Sequence, residues 1–269
     1  MTKTKKTAKI SKNTKAIKIN SASRSKKKTD LLDRRYRILN LVVSQYLEKG
    51  EPIASDFFCE HYNLALSPAS IRREFSFLTK DKYLTQLYHS AGRIPTDEAL
   101  ELFIDNFLRS DQLAKTMNNL FQSLREYLEP AQLKKADQEP ESFEELVDRL
   151  AQESRSLTLG YNKDKNHIYR AGLEYFLDQL KIDEPQQLKK IILSLEEIPD
   201  KLQKVIEGQK PNKVYTYVGQ NGPFTGSEDM SAITLNMPKP NWLLAILGPK
   251  YMAYDKNIAL LQLIANKLS

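Results

Sequence analysis

The chain has 269 residues, 41% of them apolar, with 41 Lys and Arg against 34 Asp and Glu and one cysteine. That is enough apolar material for about two domains with buried cores. A lone cysteine excludes an intrachain disulfide scaffold and points to a reducing, cytoplasmic setting, and the longest purely apolar run, Trp242 to Leu247, is far short of the roughly twenty residues that cross a bilayer.

The net charge of +7 is unevenly placed. Residues 1–30 hold eleven Lys or Arg and a single acid, Asp30, which leaves −3 for the remainder. With few large apolar residues, this segment cannot offset its ordering entropy and reads as a disordered basic tail. It would either add salt-sensitive affinity for phosphates or serve solubility alone. No apolar stretch follows its charges, so it is not a secretory signal, and its preference for Lys over Arg argues against a transit peptide.

Leu32, Tyr36, Leu39, Val43 and Leu47 recur at helical spacing and predict a helix from Asp33 to Glu48, ended by Gly50. Pro52 to Ala54 reads as a short extended piece, and Ser55 as the N-cap of a second helix with Phe58 and Tyr62 on its apolar face. A turn over Asn63 to Leu66 leads to a third helix, with Ser67 as N-cap and Pro68 as first helical residue. Tyr83 to Leu87 alternates like a strand, Gly92 marks a turn before Arg93-Ile94-Pro95, and Thr96 caps a helix to about Arg109. Helix, short strand, two helices and a two-stranded wing is the element order of a winged helix-turn-helix, placed at residues 31–105.

Ser110 to Leu159 is mostly helical and polar, interrupted near Pro130 and Pro140, and reads as a helical linker or arm over 106–159. Leu173 to Leu180 and Leu188 to Ile206 follow as helices, Lys213 to Val218, Met230 to Leu235 and Trp242 to Leu247 as strands, and Tyr254 to Leu268 as a closing helix. Residues 160–269 therefore read as α+β. No internal repeat interrupts this order.

In the third helix Ile71, Phe75 and Leu78 stand at i, i+4 and i+7 and define the buried face. Arg73 then lies opposite, flanked by Arg72 and Ser76, with Ser67 and Ser70 at the helix start. An arginine fork can bond guanine O6 and N7 in the major groove, while hydroxyls and helix N-terminal amides suit phosphates. Residues 67–93 net +3, although residues 31–105 net −2, so positive charge gathers on this segment. An arbitrary Arg pair is a solvated helix face; the order of elements is what favours DNA reading here. His89 and Arg93 fall on the wing, where backbone or minor groove would be in reach. His61 and His167 have no metal-type neighbours in sequence and read as structural or exposed.

Three stretches carry a resemblance: Tyr46 with Gly50-Glu51-Pro52-Ile53-Ala54-Ser55; Leu66-Ser67-Pro68-Ala69-Ser70-Ile71-Arg72; and Ser90-Ala91-Gly92-Arg93-Ile94-Pro95-Thr96. Near the C-terminus Val214-Tyr215-Thr216-Tyr217-Val218-Gly219-Gln220-Asn221 and Gly248-Pro249, with Met252 and Tyr254, extend it. These resemble the HrcA family of heat-shock repressors. The resemblance implies an α+β chain, a winged helix followed by a GAF-like domain, acting without cofactor as a homodimer. It implies binding to a CIRCE inverted repeat upstream of chaperone genes, with the GroEL chaperonin as modulator. The chain departs from the family pattern at Arg73, where Asn is usual, and at Leu87-Tyr88-His89, where Pro-His-Thr is typical. The family fold also carries a dimerising insertion behind the winged helix; the middle of this chain is shorter than that pattern, so part of the GAF-like or insertion region is read as missing and the GAF-like domain as reduced.

Other readings stay open at this stage. A ligand-responsive regulator of the GntR kind would keep the DNA binding and place an effector pocket in residues 160–269, although its wing is normally glycine- and aromatic-rich. An enzyme with Tyr215, Tyr217 and Tyr251 around a cavity lacks any nucleophile elbow, phosphate loop, metal spacing or paired carboxylates. A basic-tailed RNA-binding protein is the remaining alternative.

Overall fold

A computed structural model describes residues 33–62, 66–86, 91–180, 185–219 and 228–268. The basic tail, His89 and most of the Asn63 to Leu66 turn lie outside the described residues. The chain forms two compact units, one of the residues up to Gln45 with Pro52–Thr96, the other of Tyr46–Glu51 with Asp97–Ser269.

Helix α1 spans 33–49, and its part in the first unit buries Ile38, Leu39, Val42 and Val43. Tyr36, expected on that face, is instead 39% exposed; the buried stripe keeps the expected Leu39 and Val43 and takes in Ile38 and Val42 beside them. Helix α2 (Ser55–His61) starts one residue earlier than expected: Ala54 is its N-cap, and no side chain caps it, so Ser55 is not the cap. Its Phe58 is fully buried and meets Phe75 of α3 (Pro68–Lys80) edge-on, with ring centroids 5.6 Å apart. Tyr62 donates to Gln45 Oε1 at 2.9 Å. Strands β1 (Leu84–Thr85) and β2 (Ile94–Pro95) form an antiparallel ribbon shorter than the alternation predicted.

In the second unit, α4 (Asp97–Leu108), α5 (Asp111–Leu124), α6 (Pro130–Gln138) and α7 (Pro140–Ser154) precede a five-stranded antiparallel sheet. Its order is β4-β3-β7-β6-β5, from β3 (Leu157–Asn162), β4 (His167–Ala171), β5 (Lys213–Val218), β6 (Met230–Pro238) and β7 (Asn241–Pro249). Strands β3 and β4 were not anticipated from the sequence. Helix α8 is Leu173–Gln179; α9 (Pro185–Glu196) and α10 (Ile198–Gly208) divide what periodicity read as one helix, with Pro199 in the first turn of the second. Helix α11 (Tyr254–Leu268) closes the chain as expected.

Both faces of the sheet are covered, which is why β7 is buried over Trp242–Pro249 as a continuous run rather than an alternating one. Leu157, Leu159, Leu243, Ala245 and Leu247 pack with Phe176 of α8 and Ile198, Leu202 and Val205 of α10. Toward the other face, Phe143 of α7 sits 5.0 Å from the Trp242 ring, and Tyr254 of α11 donates to Ser231 Oγ at 2.7 Å. Helix α7 comes so close to β3 that a Cβ at Gly160 would strike Val147 and Phe143. Across α7 and β4, His167 Nε2 meets Glu144 Oε1 at 2.9 Å, and Tyr169 donates to Asp148 at 3.2 Å. Burial, helped by Asp148, raises the Tyr169 pKa. Burial lowers that of Lys163, whose Nζ donates to Asn236 Oδ1 and the Met237 carbonyl.

Candidate nucleic-acid interface

Helix α3 begins where two local preferences agree. Ser67 Oγ accepts from the Ser70 amide at 3.2 Å, satisfying one of the donors a helix start leaves free, and Pro68 occupies a position that needs no N–H. Ile71, Phe75 and Leu78 are buried, and Glu74 is buried with them. The opposite face presents Arg72, Arg73, Ser76 and Lys80 to solvent.

The hydroxyls on this face have partners within the helix. Ser67 and Ser70 Oγ atoms lie 3.0 Å apart, and Ser76 Oγ donates to the Arg72 carbonyl at 2.9 Å. As placed, Ser76 has its proton committed and offers only lone pairs outward, which suits a base amino group better than a phosphate oxygen. Arg72 Nη1 stands 3.7 Å from Asp56 Oδ1 on α2, with both side chains more than 60% exposed. Such a pair is weak and readily exchanged. The Arg73 guanidinium lies over the Phe77 ring, 5.7 Å from its centroid, within the range of a cation–π contact.

The ribbon is tied to the segment before α2 at one point. Arg93 donates its N–H to the Ile53 carbonyl at 2.8 Å and accepts from the Ile53 N–H at 2.9 Å. The residue beside it must be glycine, since a Cβ on Gly92 would fall 2.5 Å from the Ile53 carbonyl carbon and 2.6 Å from its oxygen. This contact explains Gly92 in the Ser90–Thr96 stretch, which supplies the clearance; the bridge uses only the main chain of residue 93 and leaves the arginine side chain uncommitted to it. The Arg93 side chain is half-buried, with its Nε shielded and unpartnered among the described residues. Across the ribbon Gln86 Nε2 donates to the Ala91 carbonyl at 2.7 Å, and Thr96 Oγ1 to that of Lys82 at 2.7 Å.

Of the residues expected to contact DNA, Ser67, Ser70, Arg72, Arg73 and Ser76 thus share α3, Arg93 lies on the ribbon, and His89 is outside the described residues. Glu74 lies outside that expected set, although its spacing from Ile71 and Leu78 puts it among the core positions. Asp56 and Arg35 carry no such signal, because the contacts of Asp56 with Arg72 and of Arg35 with Phe77 are tertiary, whereas Phe77 stands one helical turn after Arg73 on the same helix.

Among the described residues no group of three His, Cys, Asp or Glu could hold a metal ion, and no helix is long and apolar enough to cross a membrane. The second unit has a cavity of about 390 Å³, floored by Leu157, Leu159 and Leu247 and walled by Phe176, Leu177, Ile192 and Ile198, with Arg170 and Glu196 as its charged lining. Leu173, Leu177 and Ile192, which also line it, are each close to half exposed.

A family model described as the HrcA protein C-terminal domain matches residues 76–258. The chain belongs to the HrcA family. The heat-inducible transcription repressor HrcA of Roseiflexus sp. is 42% identical over 88 residues, 33% of this chain and 24% of that protein. In that match and the one to Roseiflexus castenholzii, the chain spans about a quarter of the relative's length. The heat-inducible transcription repressor HrcA of Lachnoclostridium phytofermentans is 30% identical over 65% of this chain and 47% of its own. That of Chlorobium phaeobacteroides is 21% identical over 89% of this chain and 98% of its own. These HrcA relatives are named as transcription repressors, not as enzymes. A crystal structure of a hypothetical protein shares the fold, with a TM-score of 0.61 and 17% identity over 88% of this chain and 96% of that one.

Proposed function

We propose that this HrcA-family chain is a transcription repressor of heat-shock genes, acting in the cytoplasm. Residues 31–105 are a winged helix-turn-helix that lays α3 in the major groove of duplex DNA, with the β1–β2 ribbon as its wing. Residues 160–269 are a reduced GAF-like domain that serves regulation and pairing. Two copies bind a CIRCE-type inverted repeat, each reading one half-site, and the GroEL chaperonin maintains the active fraction. The observation that carries this reading is the two-sided α3: a capped helix, its inner face packed on Phe58, its outer face offering Arg72 and Arg73 with no strong partner among the described residues. A footprint over chaperone-gene upstream DNA tests it. Protection of an inverted repeat, at a stoichiometry of two chains per site, is expected; no protected sequence would refute it.

The cavity in the second unit favours one alternative within the same class, a ligand-responsive regulator. Its volume of about 390 Å³ lies in the range of small-molecule sites, roughly 300–1,000 Å³, and its lining is apolar with two charged groups. Operator affinity that changes on adding small apolar metabolites, and not on adding GroEL, would select this reading over the first.

A further inference from the structure

Glu74 is 3% exposed on the inner face of α3. A carboxylate withdrawn from water persists only with compensating partners, and each oxygen has one. Oε1 accepts from Arg34 Nη2, and Oε2 from Arg35 Nε at 3.0 Å. Both arginines are on α1, so one acid joins the helix that carries Arg72 and Arg73 to the first helix of the unit. Arg35 makes a second contact: its guanidinium lies 4.0 Å from the centroid of the Phe77 ring. This is the ring over which Arg73 lies at 5.7 Å. Phe77 follows Arg73 by four residues, one helical turn, so the two share a side of α3. Glu74, Arg35, Phe77 and Arg73 thus form a connected series from the core of the unit to its exposed face.

We propose that Glu74 is a positioning residue for DNA reading. It seats Arg35 on Phe77, which fixes the ring that supports Arg73, and it holds the charges of Arg34 and Arg35 away from phosphate. The first action aims a base-reading side chain. The second suppresses binding that ignores sequence, because every cation released to the backbone adds affinity for any duplex. Selectivity is the quantity both actions serve. The inference rests on the reading of α3 as the groove-entering helix.

The test uses the full chain, Glu74→Gln and Phe77→Leu, titrated by fluorescence anisotropy against an inverted-repeat duplex and a scrambled duplex of equal length over a series of KCl concentrations. Circular dichroism supplies the folded fraction. For Glu74→Gln we expect tighter binding to the scrambled duplex, with a salt slope steeper by up to about 1.8 per chain, since each of two freed arginines contributes about 0.9. Binding to the inverted repeat should weaken, so that the ratio of the two affinities falls about tenfold. Phe77→Leu leaves the Glu74 ion pairs in place. It should weaken inverted-repeat binding several-fold and leave the scrambled duplex unaffected. A Glu74→Gln chain that melts earlier but keeps the wild-type ratio and salt slope shows a merely structural acid and overturns the proposal. If that variant does not fold, an unchanged ratio in Phe77→Leu overturns it equally. A wild-type chain that binds both duplexes alike refutes the groove reading itself, and the proposal with it, whereas failure of the variants alone leaves that reading standing.

Discussion

Replacing Gly92 by alanine would put a methyl carbon 2.5 Å from the Ile53 carbonyl carbon and 2.6 Å from its oxygen. Both are backbone atoms, so no side-chain rotation relieves the clash. Gly92 is not in the left-handed region, and alanine is acceptable there on conformational grounds, so the penalty is steric alone. The route to relief is separation of the Ile53–Arg93 bridge, with loss of its two backbone hydrogen bonds of 2.8 and 2.9 Å. At about 0.5–1.5 kcal/mol each, Gly92→Ala should destabilise the first unit by about 1–3 kcal/mol. For a unit of this size, each kcal/mol lowers Tm by about 4–8 °C. Thermal unfolding followed by circular dichroism measures the total, and amide exchange at Ile53 and Arg93 locates it, since those two amides should lose protection ahead of Val42 in α1. Unchanged stability with full protection at both amides would refute the reasoning, because it would mean the ribbon tolerates a Cβ where the geometry leaves no room.

Three further outcomes follow from the same structure. Arg72→Ala and Arg73→Ala should each cost roughly 1–3 kcal/mol of affinity for the inverted repeat with melting temperature within about 1 °C of wild type, since both side chains are exposed; a large fall in Tm would show that they serve the fold. Deleting residues 1–28 removes eleven cations and should weaken binding to all duplexes alike while flattening the salt slope; a loss confined to the operator would contradict a sequence-independent tail. The Tyr46 hydroxyl is pushed up to about 12 by burial, with Tyr251, Asp229 and Asp97 adding to it. Its folded-state pKa is raised, so its contribution is fully present below pH 10 and fades as pH rises toward 12, by about 2 kcal/mol at 1.36 kcal/mol per unit. Urea unfolding at pH 8 and pH 11.5 should therefore show a smaller alkaline loss for Tyr46→Phe than for the wild type, and parallel losses would sink the assignment.

The elements legible in the sequence are those whose cause is local. Ser67 and Pro68 announce the start of α3, and the spacing of Ile71, Phe75 and Leu78 gives its inner face. Strands β5, β6 and β7 and helix α11 were found because their apolar residues run together or recur on one side. Strand β3 was missed because Gly160 and Asn162 weaken its pattern, and the reason for Gly160 is the close approach of α7, a fact of packing. Helices α9 and α10 merged because the apolar spacing continues through Glu197, and only Pro199 hints at the division. The same distinction holds at the candidate interface. Exposure of Arg72, Arg73 and Ser76 follows from one helical period. The Asp56 partner of Arg72, and the seating of Arg35 on the Phe77 ring, depend on contacts that spacing along the chain does not encode, whereas Arg73 and Phe77 meet at one helical turn. Glu74 was legible in principle: an acid three residues after Ile71 and four before Leu78 sits on the apolar stripe, and a buried acid needs hydrogen-bonding or cationic partners.

The central claim, that α3 reads duplex DNA by sequence, is tested most directly by the affinity of the full chain for an inverted-repeat duplex against a scrambled duplex of the same length and composition, at one physiological salt concentration. The account predicts a preference of at least about 10³-fold, the lower end for specific DNA-binding proteins, falling steeply in Arg72→Ala and Arg73→Ala. Equal affinity for the two duplexes, or a preference that both substitutions leave intact, would contradict it.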